Sequence, residues 1–150
     1  MKKFLTLAFA FVMAGALKAQ LNPVTWSFTA IKTGDKQYEV KMTATIQNKW
    51  HLYSQTQPED AIAIPTTFKF NANPLLTLDG KIQEVGKMEK FSDKNLGVSA
   101  NQYSGTVTFV QKVKLKANAK TKLVGTVEYQ TCDDQKCLPP KTVNISLEIK

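Results

Sequence analysis

Tyr38-Glu-Val-Lys-Met-Thr-Ala-Thr-Ile46 sets the fold class. Val40, Met42, Ala44 and Ile46 fall on one side of an extended chain, and Lys41, Thr43 and Thr45 fall on the other. Successive strand side chains point to opposite faces, so this alternation marks a strand with one face in a core and one in water. Val107, Phe109, Val113 and Leu115 repeat the pattern, with Gln111 as an exception. Residues 142–149 turn Val143, Ile145, Leu147 and Ile149 inward, and Asn144, Ser146 and Glu148 outward. Further strands are expected at 24–30, 50–53, 65–70, 82–85 and 122–131. Beyond the N-terminal segment no window carries an apolar stripe at helical spacing. Seven to nine short strands between Gly, Asn, Asp and Pro turns predict an all-β antiparallel sandwich of two sheets. One stretch stands apart. Residues 86–102 (GKMEKFSDKNLGVSANQ) are polar and turn-rich, and read as a long loop of the kind that carries function.

The N-terminus indicates the compartment. Met1-Lys2-Lys3 is basic, residues 4–16 (FLTLAFAFVMAGA) are uncharged and mostly apolar, and Leu17-Lys18-Ala19 places a small residue before Gln20. That order predicts a signal peptide at 1–19, cleaved to leave a single mature domain at 20–150 in the periplasm or secreted. An apolar run of this length is short of the roughly 20 residues a membrane span requires, so the mature chain is expected not to span a membrane. Removing Lys2, Lys3 and Lys18 takes the formal charge from +8 to 8 − 3 = +5. Every basic residue is lysine. Arginine is the usual bidentate reader of phosphates and base edges, so nucleic acid is excluded as a partner. Export also makes a disulfide chemically permissible.

Cys132 and Cys137, the two cysteines of the chain, flank Asp133-Asp134-Gln135-Lys136 between two expected strands, with Pro139 and Pro140 just behind. A hairpin of that length can bring the Cα atoms within the roughly 4.4–6.8 Å that a disulfide spans. Closing so short a loop stabilises by only about 2 kcal/mol in the chain-entropy account, which makes a weak staple. For exchange the short loop is an advantage, because the thiols stay adjacent when reduced. Asp133 and Asp134 disfavour a thiolate while Lys136 favours one, so the pair suits a centre attacked by a specific partner. Spacing alone leaves three readings open: redox exchange, structural disulfide, or metal clip. Zinc sites call for four ligands, usually in two close pairs, whereas this chain offers two cysteines and the single His51, so no metal site is assigned. With one histidine and no Gly-x-Ser-x-Gly turn, a Ser-His hydrolase is not expected.

The stretch Val127-Glu-Tyr-Gln-Thr-Cys-Asp-Asp-Gln-Lys-Cys-Leu-Pro-Pro-Lys141 resembles the active-site segment of the N-terminal periplasmic domain of the DsbD thiol–disulfide interchange family, and Asn48-Lys-Trp-His-Leu-Tyr53 resembles its earlier aromatic segment. The resemblance runs over about residues 24–150. It implies an immunoglobulin-like β-sandwich with a cysteine-bearing hairpin. It implies a Cys132–Cys137 pair that cycles between dithiol and disulfide without a cofactor. Electrons would come from a thioredoxin-like donor and pass to periplasmic thiol or disulfide acceptor proteins. It further implies that Cys137 takes part in the mixed disulfide and Cys132 resolves it. A cap loop at 86–102 would shield the sulfurs through Phe91, with Glu89 and Asp93 beside it. His51 and Tyr53 would lie near the pair, although His51 stands where the family usually carries tyrosine. The family's full-length proteins continue into membrane and thioredoxin-like domains, while this sequence ends at Lys150; a separately encoded reductant is therefore expected. The rival reading is a non-catalytic β-sandwich binding module with a structural disulfide; a copper or zinc carrier is a third.

Overall fold

The computed structural model describes residues 21–95 and 97–150, and the expected signal segment 1–19 lies outside them. The described chain forms strands β1 (Val24–Gly34), β2 (Gln37–Ile46), β3 (His51–Tyr53), β4 (Thr67–Phe70), β5 (Leu76–Val85), β6 (Met88–Asp93), β7 (Val98–Tyr103), β8 (Thr106–Leu115), β9 (Thr121–Tyr129), β10 (Thr131–Cys132) and β11 (Lys141–Ile149). No helix occurs among the described residues. Every strand pair is antiparallel. The architecture is an all-β, immunoglobulin-like sandwich with a cysteine-bearing hairpin.

A four-stranded sheet ordered β1-β2-β8-β5 faces a three-stranded sheet ordered β11-β9-β4. Alternation dictates what fills the space between them. Val40, Met42, Ala44 and Ile46 of β2 are buried, as are Val107, Phe109, Val113 and Leu115 of β8. Ile145 and Ile149 of β11 are fully buried, while Val143 and Leu147 are half-buried against the same core. Rings bridge the layers: Trp26 of β1 lies 6.1 Å from Phe68 of β4 and 5.5 Å from Tyr129 of β9, and Phe109 lies 5.0 Å from Phe68. The backbones of β4 and β9 approach closely at Gly125, where a Cβ would stand 2.4 Å from the Lys69 carbonyl oxygen. The exception in β8 is explained by a partner. Buried Gln111 donates from Nε2 to the carbonyls of Asp79, Gly80 and Lys112, and Asp79 and Gly80 lie where the β5 register shifts. A buried amide is tolerated because irregular backbone across the ladder leaves carbonyls to accept from it.

A second four-stranded sheet, ordered β10-β3-β7-β6, lies at one end of the sandwich. Two expectations are corrected there. Residues 86–102 are no loop: β6 and β7 form a hairpin whose turn includes Asp93, with its Oδ1 accepting the Asn95 N–H at 2.8 Å, and Gly97 at positive φ. β6 is largely solvated, while β7 buries Ala100, Gln102 and Tyr103, so neither strand shows an apolar alternation. The segment 122–131 is not one strand either. It breaks at Gln130, and the chain changes sheets from β9 to β10. Gln130 holds the crossover, accepting from the Ile64 N–H at 3.1 Å and donating to the Leu138 carbonyl at 3.3 Å.

Glu84 of β5 ties this small sheet to the sandwich. Its carboxylate accepts from Ser54 Oγ, the Gln55 N–H and the Tyr103 hydroxyl, at 2.8, 2.7 and 2.5 Å. Burial first, then the bond to Glu84 and its charge, push the Tyr103 hydroxyl above the usual tyrosine range.

Candidate functional site

Asp133 builds the cysteine turn. Its N–H donates to the Lys136 carbonyl, and its Oδ1 accepts the N–H groups of Gln135 and Lys136 at 2.8 and 2.7 Å. The Gln135 and then the Lys136 amide, with the nearby Lys136 ammonium, hold this exposed carboxyl below the usual Asp range. The Leu138 N–H returns to the Thr131 carbonyl at 2.9 Å, and Pro139 and Pro140 add no further donors. These two backbone bonds bracket Cys132 and Cys137, which face each other as an antiparallel bridge. A disulfide joins them with the Cα atoms 4.0 Å apart, a little closer than the spacing expected from sequence.

The two sulfur-bearing residues sit in different surroundings. Cys132 is 4% exposed and packs with Tyr53, Ala100 and Ala63. Cys137 is exposed. It borders a cavity of about 360 Å³ together with Tyr53, Ile62, Phe91, Ala100 and Gln130. Burial pushes the Tyr53 phenol up from its ordinary value, so it stands there as a neutral ring. A second cavity, of about 390 Å³, lies behind the hairpin among Pro23, Tyr129 and Leu138, and neither cysteine lines it.

Register explains why these residues meet. Directly opposite residues of an antiparallel pair share a face, as do residues two apart on one strand. Cys137 opposes Cys132, Cys132 opposes His51, and Tyr53 lies two residues beyond His51. Tyr53 opposes Gln102, Gln102 opposes Glu89, and Phe91 and Asp93 follow at intervals of two along β6. All seven residues singled out from the sequence therefore occupy one face of the small sheet.

Their positions on it differ. Phe91 and Tyr53 border the cavity with Cys137, and Phe91 is 47% exposed. Glu89 and His51 lie toward the hairpin base and meet through Ser104: His51 Nδ1 is 3.0 Å from Ser104 Oγ, which donates to Glu89 Oε2 at 3.1 Å. His51 Nε2 is 3.7 Å from Asp134 Oδ1 in the cysteine turn. Asp93 lies at the far end of the hairpin, capping its turn. Among the described residues no three His, Cys, Asp or Glu side chains gather where a metal could be held.

Sequence reasoning missed Ile62, Ala63, Gln130 and Ser104. Ile62 is 77% exposed on the cavity rim, and Ala63 packs against the buried cysteine cluster. Ala61-Ile-Ala-Ile-Pro65 is an apolar stretch outside any strand, and that was the available signal. Ser104 gave none, since its role depends on which strand lies beside it.

The family profile of the N-terminal domain of the thiol:disulfide interchange protein DsbD matches residues 18–149. No curated protein matches the chain in sequence. Among solved structures, the N-terminal periplasmic domain of ScsB from Proteus mirabilis is similar at a TM-score of 0.59 and 14% identity, over 87% of this chain and 47% of that one. The chain thus spans about half of that ScsB domain. The complex between the DsbD N-terminal and PilB N-terminal domains from Neisseria meningitidis contains a similar chain, at a TM-score of 0.51 and 16% identity, over 85% of this chain and 87% of that one. At such identities the likeness concerns the fold. No described helix is long and apolar enough to cross a membrane.

Proposed function

The chain belongs to the DsbD N-terminal domain family, and from that premise we propose that it is an exported thiol–disulfide exchange domain acting in the periplasm, with residues 1–19 as signal and 20–150 as the working unit. The observation that carries this reading is the unequal exposure of the disulfide. Cys137 is exposed at the mouth of an apolar cavity, while Cys132 is buried behind it. Exchange proceeds by in-line attack of a thiolate on one sulfur of a disulfide, which requires access to that sulfur and a leaving partner behind it. A donor thiolate attacks Cys137 and Cys132 departs, and the donor's second thiol then releases Cys137. When the reduced pair passes electrons on, Cys137 attacks the acceptor disulfide and Cys132 resolves that mixed disulfide. The reaction needs no cofactor. The source would be a thioredoxin-like dithiol protein, and the recipients other periplasmic thiol or disulfide proteins. That a DsbD N-terminal domain has been solved in complex with a PilB N-terminal domain supports a protein as the partner. Phe91 acts as the shield over Cys137, standing on the same cavity rim and exposed enough to be moved by a docking partner. Glu89 and Asp93 flank it on β6, and His51 and Tyr53 complete the site.

The test is covalent capture. Cys132→Ser leaves Cys137 able to form a mixed disulfide that Cys132 can no longer resolve. In oxidised periplasmic extract this variant is expected to accumulate adducts with a thioredoxin-like protein, while Cys137→Ser accumulates few. Absence of adducts from both variants, with the fold intact, would leave only the rival reading of a binding module with an inert disulfide.

A further inference from the structure

Three side chains stand in a row across the small sheet: His51 on β3, Cys132 on β10, and Cys137 beyond the turn, each directly opposite the next. Directly opposed residues in an antiparallel pair have Cβ atoms roughly 4.5–5.5 Å apart on the same face. Cys132 is therefore flanked by an imidazole on one side and by the sulfur it is bonded to on the other.

Hydrogen bonding fixes the state of that imidazole. Ser104 donates to Glu89 Oε2, and a serine hydroxyl has one hydrogen to give. Its oxygen, 3.0 Å from His51 Nδ1, is left to accept, so Nδ1 carries a hydrogen. In the neutral ring Nε2 then holds the lone pair, and Nε2 is where a proton is gained or lost. It faces the exposed carboxylate of Asp134 at 3.7 Å, too far for a committed hydrogen bond. Glu89 and Ser104 thus orient the ring from the β6–β7 side, while the titrating nitrogen is turned toward the cysteine turn.

We propose that His51 manages the proton of Cys132, giving it to the sulfur when the disulfide opens and removing it when the disulfide closes. The proposal rests on the exchange reading above. One thiolate of a partner dithiol attacks Cys137 Sγ. A partner–Cys137 bond forms, the Cys132–Cys137 bond breaks, and its electron pair leaves on Cys132. The His51 imidazolium passes its Nε2 proton to that sulfur, leaving a neutral ring and a thiol. The partner's second thiolate attacks its own sulfur in the mixed disulfide and releases Cys137 as a thiolate, which takes a proton from water. The partner dithiol is oxidised to a disulfide and the Cys132–Cys137 disulfide is reduced. In reverse, neutral His51 takes the Cys132 proton as that sulfur becomes the resolving nucleophile. The ring nitrogens face Ser104, which links to Glu89 of β6, and Asp134 of the cysteine turn, and Cys132 is the residue directly opposite His51 in the strand register.

The experiment measures reduction of the disulfide in the full chain by dithiothreitol, from about pH 5.5 to 8.5, with each rate divided by the reagent's thiolate fraction. Wild type is compared with His51→Gln and His51→Ala. If the imidazole donates the proton in this step, wild type should be about ten-fold faster at the acid end of the range, with the advantage shrinking toward the alkaline end. Added imidazole should restore part of the His51→Ala rate at the acid end. A ratio that stays constant at every pH overturns the proposal, because a purely structural role slows the reaction equally throughout. Should His51→Ala fail to fold, the profile of His51→Gln decides alone. A flat ratio with a reactive wild-type disulfide removes His51 and leaves the exchange reading standing. A wild-type disulfide that never opens in the folded domain removes both.

Discussion

Between β1-β2-β8-β5 and β11-β9-β4 the rings of Trp26, Phe68, Phe109 and Tyr129 meet in a continuous apolar core, whereas the cysteine face of the small sheet buries only Tyr53, Ala100 and Cys132 as its apolar cluster. Polar bonds do the remaining work there. Glu84 gathers Ser54, Gln55 and Tyr103; Gln57 Nε2 donates to the Ser54 and Asn101 carbonyls; Thr66 Oγ1 donates to the Tyr53 carbonyl. A folded hydrogen bond replaces one to water and stabilises by about 1 kcal/mol, while a buried large side chain contributes about 2–3 kcal/mol. The sandwich therefore carries most of the stability. The small sheet is expected to have the lower local stability.

The contrast can be broken at several points. Phe109→Ala empties the centre of the sandwich and is expected to cost about 3–5 kcal/mol in urea unfolding, with the folded domain's disulfide chemistry unchanged. Replacing both cysteines by serine should cost only about 2 kcal/mol, because the loop they close is short. A loss twice as large would make the disulfide a staple and dissolve the contrast. Glu84→Gln removes the charge that three donors address and should cost about 1.5 kcal/mol. Hydrogen exchange would place that loss in β3 and β7, with β2 and β8 still protected. Protection lost equally everywhere would show that the two regions unfold as one.

Two smaller effects sharpen the picture. The Asp133 carboxyl is held below its ordinary 3.8 by the Gln135 and Lys136 amides. A depressed carboxylate contributes stability above its unfolded value and loses it as pH falls through its folded value. The cysteine turn should therefore loosen below about pH 4, seen as shifts of the Gln135 and Lys136 amide resonances, and Asp133→Asn should abolish that acid step. Phe91→Ala should leave stability within about 0.5 kcal/mol of wild type, as expected for a side chain half in solvent. Reduction of the disulfide by a small thiol should nonetheless become several-fold faster.

The same contrast separates what the sequence made legible from what it did not. The alternation in β2 and β8 located the core because apolar burial imposes a period of two, and Val40, Met42, Ala44, Phe109 and Val113 are all inside. The cysteines and their turn were legible from spacing. The β6–β7 hairpin was not, because β6 is largely solvated and β7 buries Ala100, Gln102 and Tyr103 without an apolar alternation. The break at Gln130 was hidden for a related reason: a side chain that bridges Ile64 and Leu138 reads in sequence as one more polar residue in a strand. The tautomer of His51 depends on Ser104 and Glu89, from strands distant in sequence, and could be read only once those strands were side by side.

The central claim is tested most directly by equilibrating the folded domain with thiol buffers while following the β2 and β8 amides by NMR. The account predicts a Cys132–Cys137 potential above about −300 mV, with those amides unchanged as the disulfide opens. A potential below that value, or reduction only when the sandwich amides collapse, would contradict it.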